Sequence, residues 1–232
     1  MSELYDIFRE SAGVTTDSRA ISEGALFVAL RGASFDGNRF AIDALRKGAS
    51  YAVVDDPNVA ETAPEEFAER LFTVEDTLCA LQDLAREHRE VLGIPILAVA
   101  GSNGKTTTKE LVSRVLAEKY EVYATKGNLN NHIGVPLTLL AMDHSTEFGV
   151  VEMGASACGE IALLASIAKP NYGILTNIGR SHLEGFGGVE GIRRGKCKVL
   201  YSHVCTLCGH LRQNFIVGRN KGVAASCIQI IK

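Results

Sequence analysis

The chain has 232 residues, enough for one large domain or two modest ones that each bury a core. Hydrophobic residues make up 46% and charged residues 22% of the sequence, and the formal net charge of −3 gives no basic excess that would point to nucleic acid or to an anionic membrane surface. The first ten residues do not resemble a signal peptide. We therefore expect a cytoplasmic monomer with no nucleic-acid partner and no membrane insertion.

Residues 1–93 alternate short apolar runs of strand length with helical patterns. A helix predicted over residues 40–47 stops at Gly48, and apolar residues three or four apart predict a longer helix over 77–92. We interpret this region as a small N-terminal α/β domain that ends near the Gly-Ile-Pro sequence at 93–95. Its predicted strands are residues 26–30, 51–54 and 71–74.

From residue 94 on, nearly continuous apolar strands alternate with helices, which is typical of a parallel sheet covered on both faces. In the first helix of this region, we expect the apolar side chains of Leu111, Val112, Val115 and Leu116 to lie on one face. We predict a second α/β domain over residues 94–201. Its predicted strands are 96–100, 121–124, 148–152 and 172–178, and its predicted helices are 106–119 and 160–168.

A phosphate-binding loop is indicated by the sequence GSNGKTT at residues 101–107, which follows a predicted strand and opens a helix. Glycines let backbone N–H groups turn toward phosphate oxygens, and a helix N-terminus adds further donors. Val99 stands where the Walker A pattern has its first glycine, so the loop is a shorter Gly-x-x-Gly-Lys-Thr variant. We expect Lys105 to contact the β- and γ-phosphates of ATP and the Thr106 hydroxyl to hold Mg²⁺. The predicted ATP-binding residues are Gly101, Ser102, Asn103, Gly104, Lys105, Thr106 and Thr107.

This loop and four further stretches of the chain together resemble the Mur ligase family. The resemblance extends to about residue 200 and implies that residues 1–93 hold a UDP-sugar substrate and that 94–201 form an incomplete P-loop-type domain that binds ATP. The other stretches are TDSR at 16–19 with GALFVAL at 24–30, GNLNNHIGVP at 127–136, EMGA at 152–155, and TNIG at 176–179 with SHLEGFG at 181–187.

The resemblance implies a reaction in which a carboxylate is joined to an amine through an acyl phosphate, at the expense of ATP and with Mg²⁺. Residues 127–136 are similar to the family member that adds D-alanyl-D-alanine to UDP-N-acetylmuramoyl-tripeptide in peptidoglycan synthesis, so these are the implied substrates. Two alternatives stay open. One is a sister Mur ligase or a folate polyglutamate ligase with another acceptor, and the other is a non-catalytic nucleotide-binding protein with a metal-binding tail.

Glu152 ends a predicted parallel strand, which is where ligands bind in open α/β sheets, and its carboxylate suits Mg²⁺. His182 follows the next strand. The resemblance implies that Glu152 and His182 hold Mg²⁺, and that Lys196 is a lysine carbamylated by CO₂ that also serves as a ligand. Cys197 and Lys198 stand where the family has Gly-Glu, so Lys196 also fits a solvated helix lysine. The predicted catalytic residues are thus Lys105, Glu152, His182 and Lys196.

The resemblance implies that Ser18 and Arg19 contact the UDP-sugar. Asn128, Asn130 and Asn131 carry amides that can donate to substrate phosphate or acyl oxygens. For both groups, the alternative is a turn that needs no ligand.

The family pattern stops after Tyr201, where members of the family continue into the rest of the central sheet and a C-terminal domain for the amino-acid substrate. We expect a truncated ligase that keeps ATP contacts without completing the reaction, with residues 202–232 as an atypical tail. That tail contains Cys205 and Cys208 in a C-x-x-C pattern near His210, a weak indication of zinc. We expect the remaining thiols to be reduced.

Overall fold

The computed structural model describes residues 1–177. The chain divides between Val91 and Leu92 into two compact units, each built on one four-stranded parallel sheet. Within residues 1–177, no helix is long and apolar enough to cross a membrane.

The first unit has short strands separated by helices, as its sequence predicts. Its helices are α1 (Glu3–Glu10), α2 (Ala41–Arg46), α3 (Pro57–Glu61), α4 (Glu65–Ala68) and α5 (Thr77–Leu92), with a 3-10 turn at Gly37–Phe40. Its strands are β1 (Val14–Thr15), β2 (Leu26–Val28), β3 (Arg31–Gly32), β4 (Phe35–Asp36), β5 (Tyr51–Val54) and β6 (Leu71–Thr73). The main sheet has the order β1-β2-β5-β6, while β3 and β4 form a separate antiparallel hairpin.

Apolar side chains of β2, β5 and α2 form the core of this unit. The three predicted strands and both predicted helices are present, with ends within two residues of those expected. Helix α1 is an addition to the prediction. The Ser2 hydroxyl caps it by accepting from the backbone N–H of Tyr5, and Leu4, Tyr5 and Phe8 are buried on one side.

The second unit contains the phosphate loop between its first strand and first helix. Its strands are β7 (Ile96–Ala100), β8 (Val122–Ala124), β9 (Phe148–Glu152) and β10 (Tyr172–Leu175), and its helices are α6 (Lys105–Ala117), α7 (Gly134–Leu140) and α8 (Glu160–Ala168). The sheet order is β10-β7-β9-β8, and all pairs are parallel. The predicted α/β class and parallel sheet are therefore confirmed.

The expectation of a single apolar face on α6 is wrong. Val112 and Leu116 pack against the core of the sheet, whereas Leu111 and Val115 are 60% and 73% exposed. The two pairs form neighbouring stripes about 100° apart around the helix, and only one stripe can face the sheet. Helix α7 is a further addition, and it accommodates Pro136 in its first turn, where a missing backbone N–H is tolerated.

Candidate phosphate and metal site

All four strands of the second sheet lead into polar residues at their carboxyl ends. The phosphate loop follows β7, Glu152 ends β9, Thr125 follows β8, and Asn177 lies just past β10. Since the strands are parallel, these ends lie at one edge of the sheet, where open α/β sheets bind ligands.

The phosphate loop is folded tightly, with its lysine turned back over it. Gly101 and Gly104 have φ angles of 139° and 77°, which favour glycine. The ammonium group of Lys105 donates to the carbonyl oxygens of Gly101 at 3.0 Å and Ser102 at 3.3 Å. This places the lysine charge at the loop, beside the N-terminus of α6, where unpaired helix donors favour anions.

Thr176 and Asn177, which directly follow strand β10, hold the phosphate loop. Oδ1 of Asn177 accepts from the backbone N–H groups of Ser102 at 3.2 Å and Asn103 at 2.9 Å. The Thr176 hydroxyl donates to the carbonyl oxygen of Asn103 at 2.6 Å. The strand predicted over 172–178 includes both residues, whereas β10 ends at Leu175 and both residues follow it. The sequence gives no sign that they hold this loop.

Glu152 is buried, with 2% exposure, and its two carboxylate oxygens have different surroundings. The Asn130 amide donates to Oε1 at 2.8 Å, and the backbone N–H of Glu152 donates to the Thr125 hydroxyl at 3.0 Å. Oε2 is buried with no hydrogen-bond partner among residues 1–177. A buried carboxylate oxygen left unpaired is costly, and a bound cation would remove that cost.

A second lysine, Lys109, lies one turn beyond Lys105 on α6 and is only 3% exposed. Its ammonium group donates to the carbonyl oxygen of Thr125 at 2.6 Å and pairs with Glu110 at 2.9 Å. Lys109 thus joins the helix that follows the phosphate loop to the end of β8. Its spacing of four residues from Lys105 is the only sequence signal for this role.

The three predicted asparagines have different surroundings. Asn130 contacts Glu152, whereas Oδ1 of Asn131 accepts from the backbone N–H groups of Ile133 and Gly134, at the start of α7. Asn128 is exposed, and its carbonyl oxygen accepts from the backbone N–H of Asn130. Binding of substrate by these three residues stays a prediction.

An open cavity of about 370 Å³ lies next to Lys105 and Asn130. Burial alone would raise the pKa of Glu160 in its wall, but the N–H groups of Ser156 and Ala157 and the nearby His132 hold that pKa below its usual value. The cavity therefore has a lysine and an ionised carboxylate in its walls. Its lining residues are Lys105, Asn130, Asn131, His132, Gly154, Ala155, Ser156, Glu160 and Leu164.

In the first unit, Ser18 and Arg19 lie in the turn after β1. The carbonyl oxygen of Ser18 accepts from the Lys47 ammonium at 2.8 Å, and Arg19 pairs with Asp17 at 2.8 Å. Hydrogen bonds from the Arg19 side chain and backbone lower the pKa of Asp17 to about 2. Contact of Ser18 and Arg19 with a UDP-sugar stays a prediction.

His182, Lys196 and the tail at 202–232 lie outside the described residues, so the structure does not test their predicted roles. Within residues 1–177, no group of three or more His, Cys, Asp or Glu side chains comes together as a metal site. Cys79 and Cys158 are both exposed.

Comparison with known protein families shows which family the chain belongs to. Residues 99–206 match the Mur ligase middle domain, and residues 10–89 match the catalytic domain of the Mur ligase family. The chain belongs to the Mur ligase family. The predicted resemblance is thus confirmed over both units.

Among the Mur ligases, the chain is similar to UDP-N-acetylmuramoyl-tripeptide–D-alanyl-D-alanine ligases. It is 46% identical to the Bacillus subtilis enzyme over 188 residues, which cover 81% of this chain and 40% of that enzyme. Among solved structures, MurF from Acinetobacter baumannii has a TM-score of 0.73 at 35% identity, covering 82% of this chain and 40% of that one. MurF ligase from Thermotoga maritima in complex with ADP has a TM-score of 0.72 at 36% identity, covering 86% and 44%. The chain thus spans about 40% of the length of the curated relatives it matches.

Proposed function

We propose that this chain carries the UDP-substrate-binding and ATP-binding parts of a ligase that adds D-alanyl-D-alanine to UDP-N-acetylmuramoyl-tripeptide in peptidoglycan synthesis. One observation carries the proposal. The buried Oε2 of Glu152, which has no hydrogen-bond partner among residues 1–177, lies at the same sheet edge as a glycine-rich loop with a lysine held over it. A cytoplasmic location is part of the proposal.

ATP is the proposed nucleotide. The phosphates would lie against the first turn of α6, where backbone N–H groups lack helical partners, with Lys105 supplying positive charge. Because Asn177 already accepts from the N–H groups of Ser102 and Asn103, we assign the main phosphate contacts to Gly104, Lys105, Thr106 and Thr107. Support comes from the Thermotoga maritima MurF, which is solved with ADP and is 36% identical to this chain.

Mg²⁺ is the proposed metal ion, and the residues present fit it. Oε2 of Glu152 is a hard oxygen atom without a protein partner in residues 1–177, and Thr106 is exposed on the first turn of α6. Glu152 and Thr106 would hold the ion, and we extend the proposed set of ligands to His182 and to Lys196 as a carbamate. When bound, Mg²⁺ would neutralise negative charge on the phosphates.

The remaining predicted residues would position the UDP-linked substrate. Ser18 and Arg19 would contact the UDP group, while Asn128, Asn130 and Asn131 are proposed to face phosphate or acyl oxygens. In the proposed reaction, a carboxylate oxygen of the tripeptide attacks the γ-phosphorus of ATP, and ADP leaves. The amine of D-alanyl-D-alanine then attacks the acyl carbon, loses a proton and displaces phosphate. Lys105 would hold the γ-phosphate in place for the first step.

Calorimetric titration with UDP-N-acetylmuramoyl-tripeptide tests the proposed substrate. We expect saturable binding that is weakened by Ser18→Ala and absent for tetrahydrofolate at the same concentration. Asn58→Ala, an exposed change elsewhere in the first unit, is the control and should leave the affinity unchanged. Binding of tetrahydrofolate instead of the UDP compound would favour a folate polyglutamate ligase. A folded chain that binds ATP but neither the UDP compound nor tetrahydrofolate would favour a non-catalytic nucleotide-binding protein.

A further inference from the structure

We propose that Asn130 is a positioning residue, which orients the Glu152 carboxylate so that Oε2 is the oxygen left for the metal ion. This inference rests on the proposed function. It assigns Asn130 a role through Glu152 in addition to the proposed contact with substrate oxygens.

The hydrogen bonds of Glu152 fix the direction of its carboxylate. The amide of Asn130 donates to Oε1 at 2.8 Å, and the Thr125 hydroxyl accepts from the Glu152 backbone N–H at 3.0 Å. A turn of the carboxylate would break the bond to Oε1 within a buried environment, where a lost partner is costly. Of the two oxygens, Oε2 alone lacks a partner among the described residues. One oxygen is therefore used for orientation, and the other is available to a cation.

Asn130 is itself held on its backbone and on its side chain. Its carbonyl oxygen accepts from the backbone N–H of Gly154 at 2.7 Å, so residues 130 and 154 are directly linked. The Asn130 amide then lies against the Cα of Gly154. A Cβ added at Gly154 would come within 2.9 Å of Oδ1 and 3.0 Å of Cγ of Asn130. An alanine at position 154 would therefore displace the Asn130 amide.

The chemistry of an amide suits this task. Asparagine is neutral, so it can hold one oxygen of Glu152 without cancelling the negative charge that attracts a divalent cation. Groups that orient a metal ligand in this way typically contribute about 10- to 100-fold to metal affinity. Such orienting groups have little effect on the affinity for a nucleotide that binds without metal. This difference separates a positioning role from direct contact with the nucleotide.

The experiment measures Mn²⁺ affinity of the chain at saturating ADP, from the electron paramagnetic resonance signal of free Mn²⁺, and ADP affinity without metal by calorimetry. We expect Asn130→Ala to weaken Mn²⁺ binding by about 10- to 100-fold and to leave metal-free ADP binding unchanged. Gly154→Ala removes no polar group but displaces the Asn130 amide, so it should weaken Mn²⁺ binding in the same way. This second variant also serves if Asn130→Ala does not fold, as judged by circular dichroism.

Two control variants set the largest and the smallest change in Mn²⁺ affinity that we expect. Glu152→Gln removes the proposed ligand and should weaken Mn²⁺ binding at least as strongly as Asn130→Ala. Asn58→Ala removes an amide-to-carboxylate hydrogen bond of 2.9 Å to Asp56 on the surface of the first unit, and should change neither affinity.

Each contrary outcome has a distinct meaning. Unchanged Mn²⁺ affinity in Asn130→Ala and Gly154→Ala, with a loss in Glu152→Gln, would overturn the positioning role and leave the proposed function intact. Weaker metal-free ADP binding in Asn130→Ala would also overturn it, because Asn130 would then contact the nucleotide. Unchanged Mn²⁺ affinity in Glu152→Gln would contradict the proposed metal site itself, as would a wild-type chain that binds ADP but shows no binding of Mn²⁺ at saturating ADP.

Discussion

The ammonium group of Lys109 donates to the carbonyl oxygen of Thr125 at 2.6 Å, although Lys109 is only 3% exposed. The hydroxyl of the same Thr125 accepts from the backbone N–H of Glu152 at 3.0 Å. The helix after the phosphate loop and the proposed metal ligand are therefore connected through one residue. A buried cation at this point is satisfied by a carbonyl oxygen and by Glu110, as burial of a charge requires.

Replacement of Lys109 by methionine keeps most of the side-chain volume but leaves the Thr125 carbonyl oxygen without this donor. We expect the free energy of opening of α6, measured by hydrogen exchange, to fall by about 1–3 kcal/mol. The control is Glu110→Gln, which affects only the exposed partner and should lower the free energy of opening by less than Lys109→Met does. If Lys109→Met lowers the free energy of opening of α6 no more than Glu110→Gln does, the buried hydrogen bond from Lys109 to Thr125 contributes little to the stability of this helix.

The two glycines of the phosphate loop should respond differently to alanine. At Gly101, a Cβ would lie 2.1 Å from Oγ1 of Thr176, and φ is 139°. At Gly104, φ is 77° but no atom lies within 4 Å of the added Cβ. We expect Gly104→Ala to lower the free energy of unfolding by about 1–2 kcal/mol, the cost of a left-handed backbone. Gly101→Ala should cost more and should also weaken ATP binding.

Thermal unfolding, monitored by circular dichroism, measures whether Gly101→Ala is more destabilising than Gly104→Ala. ATP titrations of the folded variants measure the effect on binding. Removal of the nearest contact in the double variant Gly101→Ala/Thr176→Ala should recover part of the loss, although the backbone strain remains. Equal effects of Gly101→Ala and Gly104→Ala would argue against the close approach of Thr176 to the loop.

The Asp17–Arg19 pair predicts a measurable pKa. The Arg19 side chain and backbone hold the pKa of Asp17 at about 2, compared with an ordinary value of 3.8. A lowered carboxyl pKa stabilises the fold above pH 3.8, and this contribution is lost as the pH falls through about 2. In Arg19→Ala, we expect the pKa to rise toward 3.8 but to stay below it, because the backbone N–H at residue 19 still donates to Asp17.

Carbon-13 NMR titration of the Asp17 carboxyl group measures this shift directly. High salt should reduce the difference between wild type and variant, since both side chains are exposed. An unchanged pKa in Arg19→Ala would mean that the guanidinium group does not hold Asp17.

Local sequence signals were sufficient for most of the fold. Strand β9 and helix α8 have the predicted bounds, because an apolar strand run and an apolar helix between breakers are local patterns. Spacing alone did not show which stripe of α6 faces the sheet, since that depends on the neighbouring strands. Helix α7 was absent from the prediction because Pro136 lies within it.

The site was predictable where a residue type and its place on a strand agree, and less so where contacts join distant parts of the chain. Glu152 is at the carboxyl end of its strand as predicted, and Lys105 begins α6. In contrast, Asn177 contacts Asn103 across 74 positions, and Lys109 reaches Thr125 across 16. Such contacts depend on the order of strands in the sheet, which the sequence did not specify.

Titration of the purified chain with Mg·ATP by calorimetry, beside Lys105→Ala, tests the central claim most directly. The control is Lys119→Ala, a lysine over the Tyr120 ring just beyond α6. We predict saturable binding to wild type and Lys119→Ala, and a loss of at least about 10-fold in Lys105→Ala, the effect of removing about 1.4 kcal/mol. Equal binding of Mg·ATP to folded wild type and Lys105→Ala, or no binding to either, would contradict the assignment of residues 101–107 as the site of the nucleotide phosphates.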